Sequence, residues 1–152
     1  MNLSPHFTLT EMCKSQLAIR RRIANQPDAA AIIAMRHLCQ AILEPVRAQF
    51  GVPIMPSSGY RSLRLNRALG GSRTSQHCKG EAVEFEIAGV TQMRLAGWIE
   101  ANLAYDQLIV EYPQAECVSA GWLHVSYARD RNRKQTLTKT QTGYSPGFPP
   151  FW

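Results

Sequence analysis

Three short segments of this chain alternate apolar and polar residues: Ala82 to Ile87, Gln107 to Tyr112 and Trp122 to Tyr127. A period of two is that of an extended strand whose successive side chains point to opposite faces. Strands this short have no independent stability, so they must pair into a sheet and bury one face under something else. The cover is also written in the chain. After Pro27, Asp28 can cap a helix whose apolar residues Ile32, Met35, Cys39, Ile42, Val46 and Phe50 recur at steps of three and four and end at Gly51. Pro45 should kink or restart it. Thr8 to Glu11 has the spacing of a capping box and opens a first helical stretch running to about Asn25. A brief helical stretch through Leu69 is closed by Gly70 and Gly71, and Thr91 to Leu103 returns to helical spacing. The class expected is α+β.

The 152 residues are 45% hydrophobic and 18% charged, which suits one domain spanning 1–152. A chain of this length buries roughly 70% of its unfolded surface and needs neither disulfides nor a structural metal for a core. Cys13, Cys39, Cys78 and Cys117 are far apart with no CxxC pair, so they are expected as reduced thiols, mostly small buried hydrophobes. Only Cys78 draws attention, because it follows His77. No apolar run approaches the ~20 residues of a membrane span, and Met1 to His6 lacks a secretory pattern. Synthesis in the cytoplasm without a signal peptide, and no membrane insertion, are the expectations.

Net charge is +6, and much of it lies in a basic arm from about residue 128. There Arg129, Arg131, Arg133, Lys134 and Lys139 face only Asp130. This Thr-, Gln-, Gly- and Pro-rich segment reads as extended. Arg20, Arg21 and Arg22 add to the basic surface or form a solvated helix face. Such a surface suits any polyanion. Nucleic acid is not the expected partner, because aromatic residues do not interleave with the basic ones on a recognisable reading surface.

Taking the apolar side of each strand as core puts Glu84 and Glu86, Gln107 and Glu111, and His124 and Ser126 on the other side. Such a polar face either meets water or carries a site. A loop through Gly80 leads from His77 into the strand of Glu84 and can fold the imidazole back over it. His77, His124 and one carboxylate form the ligand set of many catalytic zinc sites, which keep a further position open.

Ser58-Gly59-Tyr60-Arg61-Ser62, Leu65-Asn66, Gly70-Gly71-Ser72, Ser75-Gln76-His77, Gly80-Glu81-Ala82-Val83-Glu84-Phe85 and Trp122-Leu123-His124-Val125-Ser126 follow one another in a way that resembles the zinc peptidases of the D-Ala-D-Ala carboxypeptidase and L-Ala-D-Glu endopeptidase family, in its phage and prophage branch. The likeness extends from Phe7-Thr8-Leu9-Thr10-Glu11 through Asn25-Gln26-Pro27 and Leu43-Glu44-Pro45-Val46-Arg47 to the terminal arm. It implies a hedgehog/DD-peptidase-like fold, a small antiparallel sheet with helices packed on it. It also implies that His77, Glu84 and His124 hold Zn2+ and that Arg61 and Ser75 bind the peptide, Arg61 by a substrate carboxylate. A guanidinium fork suits a carboxylate, and zinc polarises a carbonyl and acidifies a bound water.

Two positions depart from the family pattern. Glu84 stands where aspartate is usual, one methylene longer, and Gly121 stands where many members carry the general base. Glu111 is the candidate to replace that base, since its strand parity matches that of His124. Glu86 could instead orient a ligand histidine, Glu116 is a weaker base candidate, and His6 and His37 read as surface residues. The function implied is cleavage of peptidoglycan stem peptides at L-Ala-D-Glu or D-Ala-D-Ala by a monomer, acting on the wall after release or carried on a phage particle. The rival is a wall-binding or virion structural module of the same fold.

Overall fold

A computed structural model of the chain describes residues 1–117 and 120–152. Its sheet contains β1 (Ala82–Phe85), β2 (Gln107–Glu111), β3 (Trp122–Ser126), β4 (Gln135–Thr140) and β5 (Gly143–Pro146), in the spatial order β1-β3-β2-β4-β5. Alternation works as the pattern demands. Val83, Phe85, Leu108, Val110, Leu123 and Val125 are fully buried on one face, each burial contributing about 1.5–3 kcal/mol.

The sheet is mixed rather than wholly antiparallel. β3 pairs antiparallel with β1 and β2, and β5 with β4, but β4 runs parallel to β2. The cause lies in residues 127–134, which carry the chain from the end of β3 past the start of β2. There Lys134 N donates to Tyr105 O and Gln135 N to Asp106 O, both at 3.0 Å. The Arg133 guanidinium grips the buried Asp106 carboxylate through two bonds of 2.7 Å. β4 thus starts where β2 starts and must run the same way. The basic arm, expected as an extended tail, supplies two of the strands.

Helices cover the apolar face. α1 (Leu9–Met12) opens on the expected capping box at Thr8 and Glu11, but the helical stretch expected to reach Asn25 breaks, and α2 (Gln16–Arg20) starts anew from Ser15. The break has a cause. Met12 O accepts from Tyr60 N at 2.7 Å and Cys13 O from Asn25 Nδ2 at 2.9 Å, so these carbonyls serve the loop around Arg61 rather than a continuing helix.

α3 (Ala29–Leu38), capped by Asp28, runs through one π-helical turn, Cys39–Leu43, into α4 (Glu44–Phe50). Pro45 has no N–H for the carbonyl four residues back, and the wide turn just before it admits its ring without ending the helix. Ala29–Phe50 is, by length and composition, long and apolar enough to cross a membrane. Here Met35, Leu38, Ile42, Leu43 and Val46 are fully buried in the core against the sheet. α5 (Leu63–Ala68) and α6 (Gln92–Asn102) complete the helices among the described residues, with Leu95, Ala96 and Ile99 of α6 in the same core.

Of the thiols, Cys39 is buried, Cys13 and Cys78 are half-buried, and Cys117 is exposed, unlike the buried hydrophobe expected there. Burial raises the Cys13 thiol to about 11. It raises Cys78 too, against the pull of Arg61, so Cys78 is not an activated nucleophile.

Candidate active site

The strand register assembles the site. Glu84 on β1 lies opposite His124 on β3, which lies opposite Ile109 on β2. Glu111, two residues along β2, therefore shares the face of His124. The third group comes from a 3-10 turn, Gln76–Lys79, which packs against α3. Gly80 permits that approach: its φ is +74°, and a Cβ there would stand 2.4 Å from the Ala31 carbonyl oxygen. His77 is thereby turned onto the sheet and is 2% exposed.

His77 Nδ1 lies 2.7 Å from Gly59 O. A carbonyl only accepts, so Nδ1 carries a proton and Nε2 is the ring atom turned to the other two groups. Nε2 sits 3.2 Å from His124 Nδ1 and 3.1 Å from Glu84 Oε1. Nε2 and an ionised carboxylate at this distance attract only with a proton or a metal cation between them. The three ligand atoms lie within 4.8 Å of one another. Nitrogen and oxygen ligands ~2.0–2.1 Å from a tetrahedral zinc stand about 3.3 Å apart, close to the two separations that His77 makes. The donor set fits a metal ion.

Burial, aided by the charge of His77 and opposed by Glu84, drives His124 down to about 3, so its ring is neutral near pH 7. Burial pushes Glu84 up, but the hydrogen bond and charge of His77 and the charges of Arg61 and His124 outweigh it and hold the carboxyl at about 2. The site presents the imidazoles of His77 and His124 and one carboxylate.

Glu111 is 5% exposed and lines the same cleft of about 440 Å³. Burial pushes its carboxyl up, Lys139 draws it down, and the nearby Glu84 charge pushes it up again, for a net rise. Such a shift brings a carboxylate towards the range in which it can both take and return a proton. Lys139 Nζ holds its Oε2 at 3.1 Å.

Arg61 and Ser75 also line the cleft. Ser75 precedes the 3-10 turn, and its side chain makes no capping bond there. The Arg61 guanidinium already has protein partners: one Nη donates to Glu84 Oε1 at 2.5 Å and Nε donates to Ser58 Oγ at 2.9 Å. Its loop is clamped by Asn25, whose Nδ2 donates to Tyr60 O and whose Oδ1 accepts from Ser62 N.

The other acids lie elsewhere. Glu86 is exposed beyond β1, in a groove with Pro53 and Met55. The partner that orients His77 is the Gly59 carbonyl instead. Glu116 is exposed in the connection after β2 and does not line the cleft. His6 pairs with Glu44 at 2.7 Å. Gly121, with φ +81°, would place a Cβ 2.1 Å from Glu111 O, so no acid fits there without moving the strand ends.

Sequence reasoning missed Lys79, Arg131, Arg133, Lys139 and Tyr144, which also line the cleft. The Thr136, Leu137, Thr138 run signals a strand, but with Leu137 taken as its core side the pattern gives Lys139 no place in the site; pairing with β2, which sets Leu137 beside Ile109 and Lys139 beside Glu111, brings it there.

An α+β domain with a His-carboxylate-His centre on its sheet and a buried acid in the same cleft has the layout of a metallopeptidase. A family model described as Peptidase M15 matches residues 5–125, and the chain belongs to that peptidase family. No curated protein matches it.

Proposed function

We propose that the protein is a zinc peptidase that cuts peptidoglycan stem peptides, at L-Ala-D-Glu or D-Ala-D-Ala, in cell-wall lysis or remodelling of the phage type. The observation that carries this reading is the approach of His77 Nε2 to His124 Nδ1 and to Glu84 Oε1 in the cleft that Glu111 also lines. His77, Glu84 and His124 would hold zinc, which when bound supplies Lewis acidity for a carbonyl and lowers the pKa of water. Glu111 would take a proton from the attacking water at its carboxylate and return it to the departing amine. Five cationic side chains against two acidic ones line the cleft, a field that favours carboxylate-bearing peptides. Ser75 and Arg61 would seat the peptide, with the second Nη of Arg61 meeting a carboxylate. The protein would work as a monomer, reaching the wall after release or on a phage particle.

One observation favours a second reading. Arg61 donates to the same Glu84 oxygen that faces His77, and an arginine-bound carboxylate is a poorer metal ligand. A wall-binding or virion structural module of the same family could keep such a pair. Metal analysis of protein purified without chelator, with a muropeptide digest, tests both. About one zinc per chain and cleavage, both lost in His124→Ala, is the expected result. Wild type that binds peptidoglycan but neither holds zinc nor cleaves would replace the first reading with the second.

A further inference from the structure

Glu111 ends β2, and the parallel register sets it beside Lys139 of β4, which in turn lies beside Tyr144 of β5. Among the described residues Lys139 is the side-chain hydrogen-bond partner of the Glu111 carboxylate, at 3.1 Å, with the lysine side chain 27% and the glutamate side chain 7% exposed. The ammonium is also held from two other directions. It sits 5.4 Å from the Tyr112 ring centroid and 5.6 Å from that of Tyr144, a cation-π geometry.

The backbone supports the same arrangement. Tyr112 N donates to Lys139 O at 2.8 Å, and Tyr112 adopts φ +54°, a left-handed conformation uncommon for an aromatic residue. Its ring packs on Trp122 at 5.3 Å between centroids. An ordinary surface ion pair has none of this enclosure, and its two long side chains wander.

We propose that Lys139 is a positioning residue for the peptidase reaction. Gripped by Tyr112 and Tyr144, it fixes the Glu111 carboxylate in the cleft, so β4 and β5, beyond matched residues 5–125, complete the active site. This rests on the reading of Glu111 as the base. Lys139 acts through Glu111 and touches no reacting atom.

The test uses full-length, zinc-loaded protein and purified muropeptides as substrate. In Lys139→Met, kcat falls ~10-fold or more while KM stays within about twofold and zinc content is unchanged, the mark of lost orientation rather than lost binding. Lys139→Arg recovers most of the rate. The double variant Glu111→Gln/Lys139→Met is no slower than Glu111→Gln alone, because the lysine has nothing left to position. Unchanged kcat in Lys139→Met, or a further equal loss in the Glu111→Gln background, overturns the proposal. A wild type inert on muropeptides would sink the peptidase reading, and the pairing is then judged without turnover. The Glu111 carboxyl 13C resonance, which also senses Glu84 and His77, titrates at higher pH in Lys139→Met than in wild type. An unmoved midpoint removes Lys139 from the site.

Discussion

Gly121→Ala tests how the Glu111 end of the sheet is held. The residue has φ +81°, and an added Cβ would lie 2.1 Å from the Glu111 carbonyl oxygen and 3.0 Å from Tyr112 C and O. The left-handed conformation costs an L-residue roughly 1–2 kcal/mol. The overlap is with backbone, which cannot swing aside as a side chain does, and forcing it open costs about 1–3 kcal/mol more. Gln92 Nε2 donates to Gly121 O at 3.1 Å, so the peptide is restrained on its other side as well. The expected loss is roughly 2–5 kcal/mol by urea unfolding, or a fall in Tm of about 4–20 °C. Gly97→Ala is the control. It lies inside α6, nothing stands within 4 Å of its added Cβ, and the helix should gain ~0.5–1 kcal/mol. Gly121→Glu should lose stability like the alanine and gain no activity, although it restores an acid where the family pattern has one. A Gly121→Ala protein within about 0.5 kcal/mol of wild type would refute the account of this position.

Four further outcomes are predicted. His77→Ala and His124→Ala should each lose bound zinc by metal analysis while His6→Ala, at a residue that pairs with Glu44 and does not line the cleft, keeps it; equal metal in all three removes the metal centre. Glu111→Gln should hold zinc normally and lose ~10²-fold or more in kcat; a mild loss reassigns the base. Arg61→Lys should cut turnover beyond ~10-fold with zinc retained, because an ammonium cannot hold Glu84 and Ser58 and also meet a substrate as the planar fork does; unchanged kinetics makes Arg61 a loop residue. Asp106 has a fully buried side chain, and its carboxyl is held below 3.8 mainly by Arg133 hydrogen bonds, which outweigh burial. A depressed carboxyl stabilises the fold above its unfolded value, and that stability is lost as pH falls through the folded one. Asp106→Asn should cost ~1.5–3 kcal/mol at pH 7, a gap that narrows below about pH 4; a gap independent of pH contradicts the assignment.

The parts of the fold legible in the sequence are those set by local chemistry. The Thr8 and Asp28 caps and the alternation of β1, β2 and β3 each follow from residues close together in the chain. The parity of His124 and Glu111 on one face was legible for the same reason, since a period of two assigns faces once a single core residue is known. What was hidden depends on distant partners. Nothing near Met12 signals that its carbonyl will be taken by Tyr60, so the helix break could not be seen. Nothing near Lys139 says that Arg133 will anchor on Asp106 and start β4 beside β2. Charge and turn-forming residues made the segment from about 128 read as an extended basic arm, whereas the Asp106 anchor starts β4 beside β2 and brings Lys139 to Glu111.

Glu84 shows how one methylene reaches beyond its own position. Its backbone pairs with Ser58, with Glu84 N donating to Ser58 O at 2.7 Å and Ser57 N to Glu84 O at 2.9 Å. Arg61 follows three residues later with its Nε on the Ser58 hydroxyl. The guanidinium is thus delivered to the start of the Glu84 side chain by the same loop that, through Gly59 O, sets the tautomer of His77. Its carboxylate reaches Arg61 and His77 with one oxygen. An aspartate would end about 1.5 Å short and could not keep both contacts without moving β1, which is pinned against β3 on its other edge. The longer acid therefore ties the arginine loop to the histidine turn. It does so by placing a cation on the oxygen that faces His77, so under the proposed function metal affinity and the freedom of Arg61 to meet a substrate carboxylate would be set by the same contact.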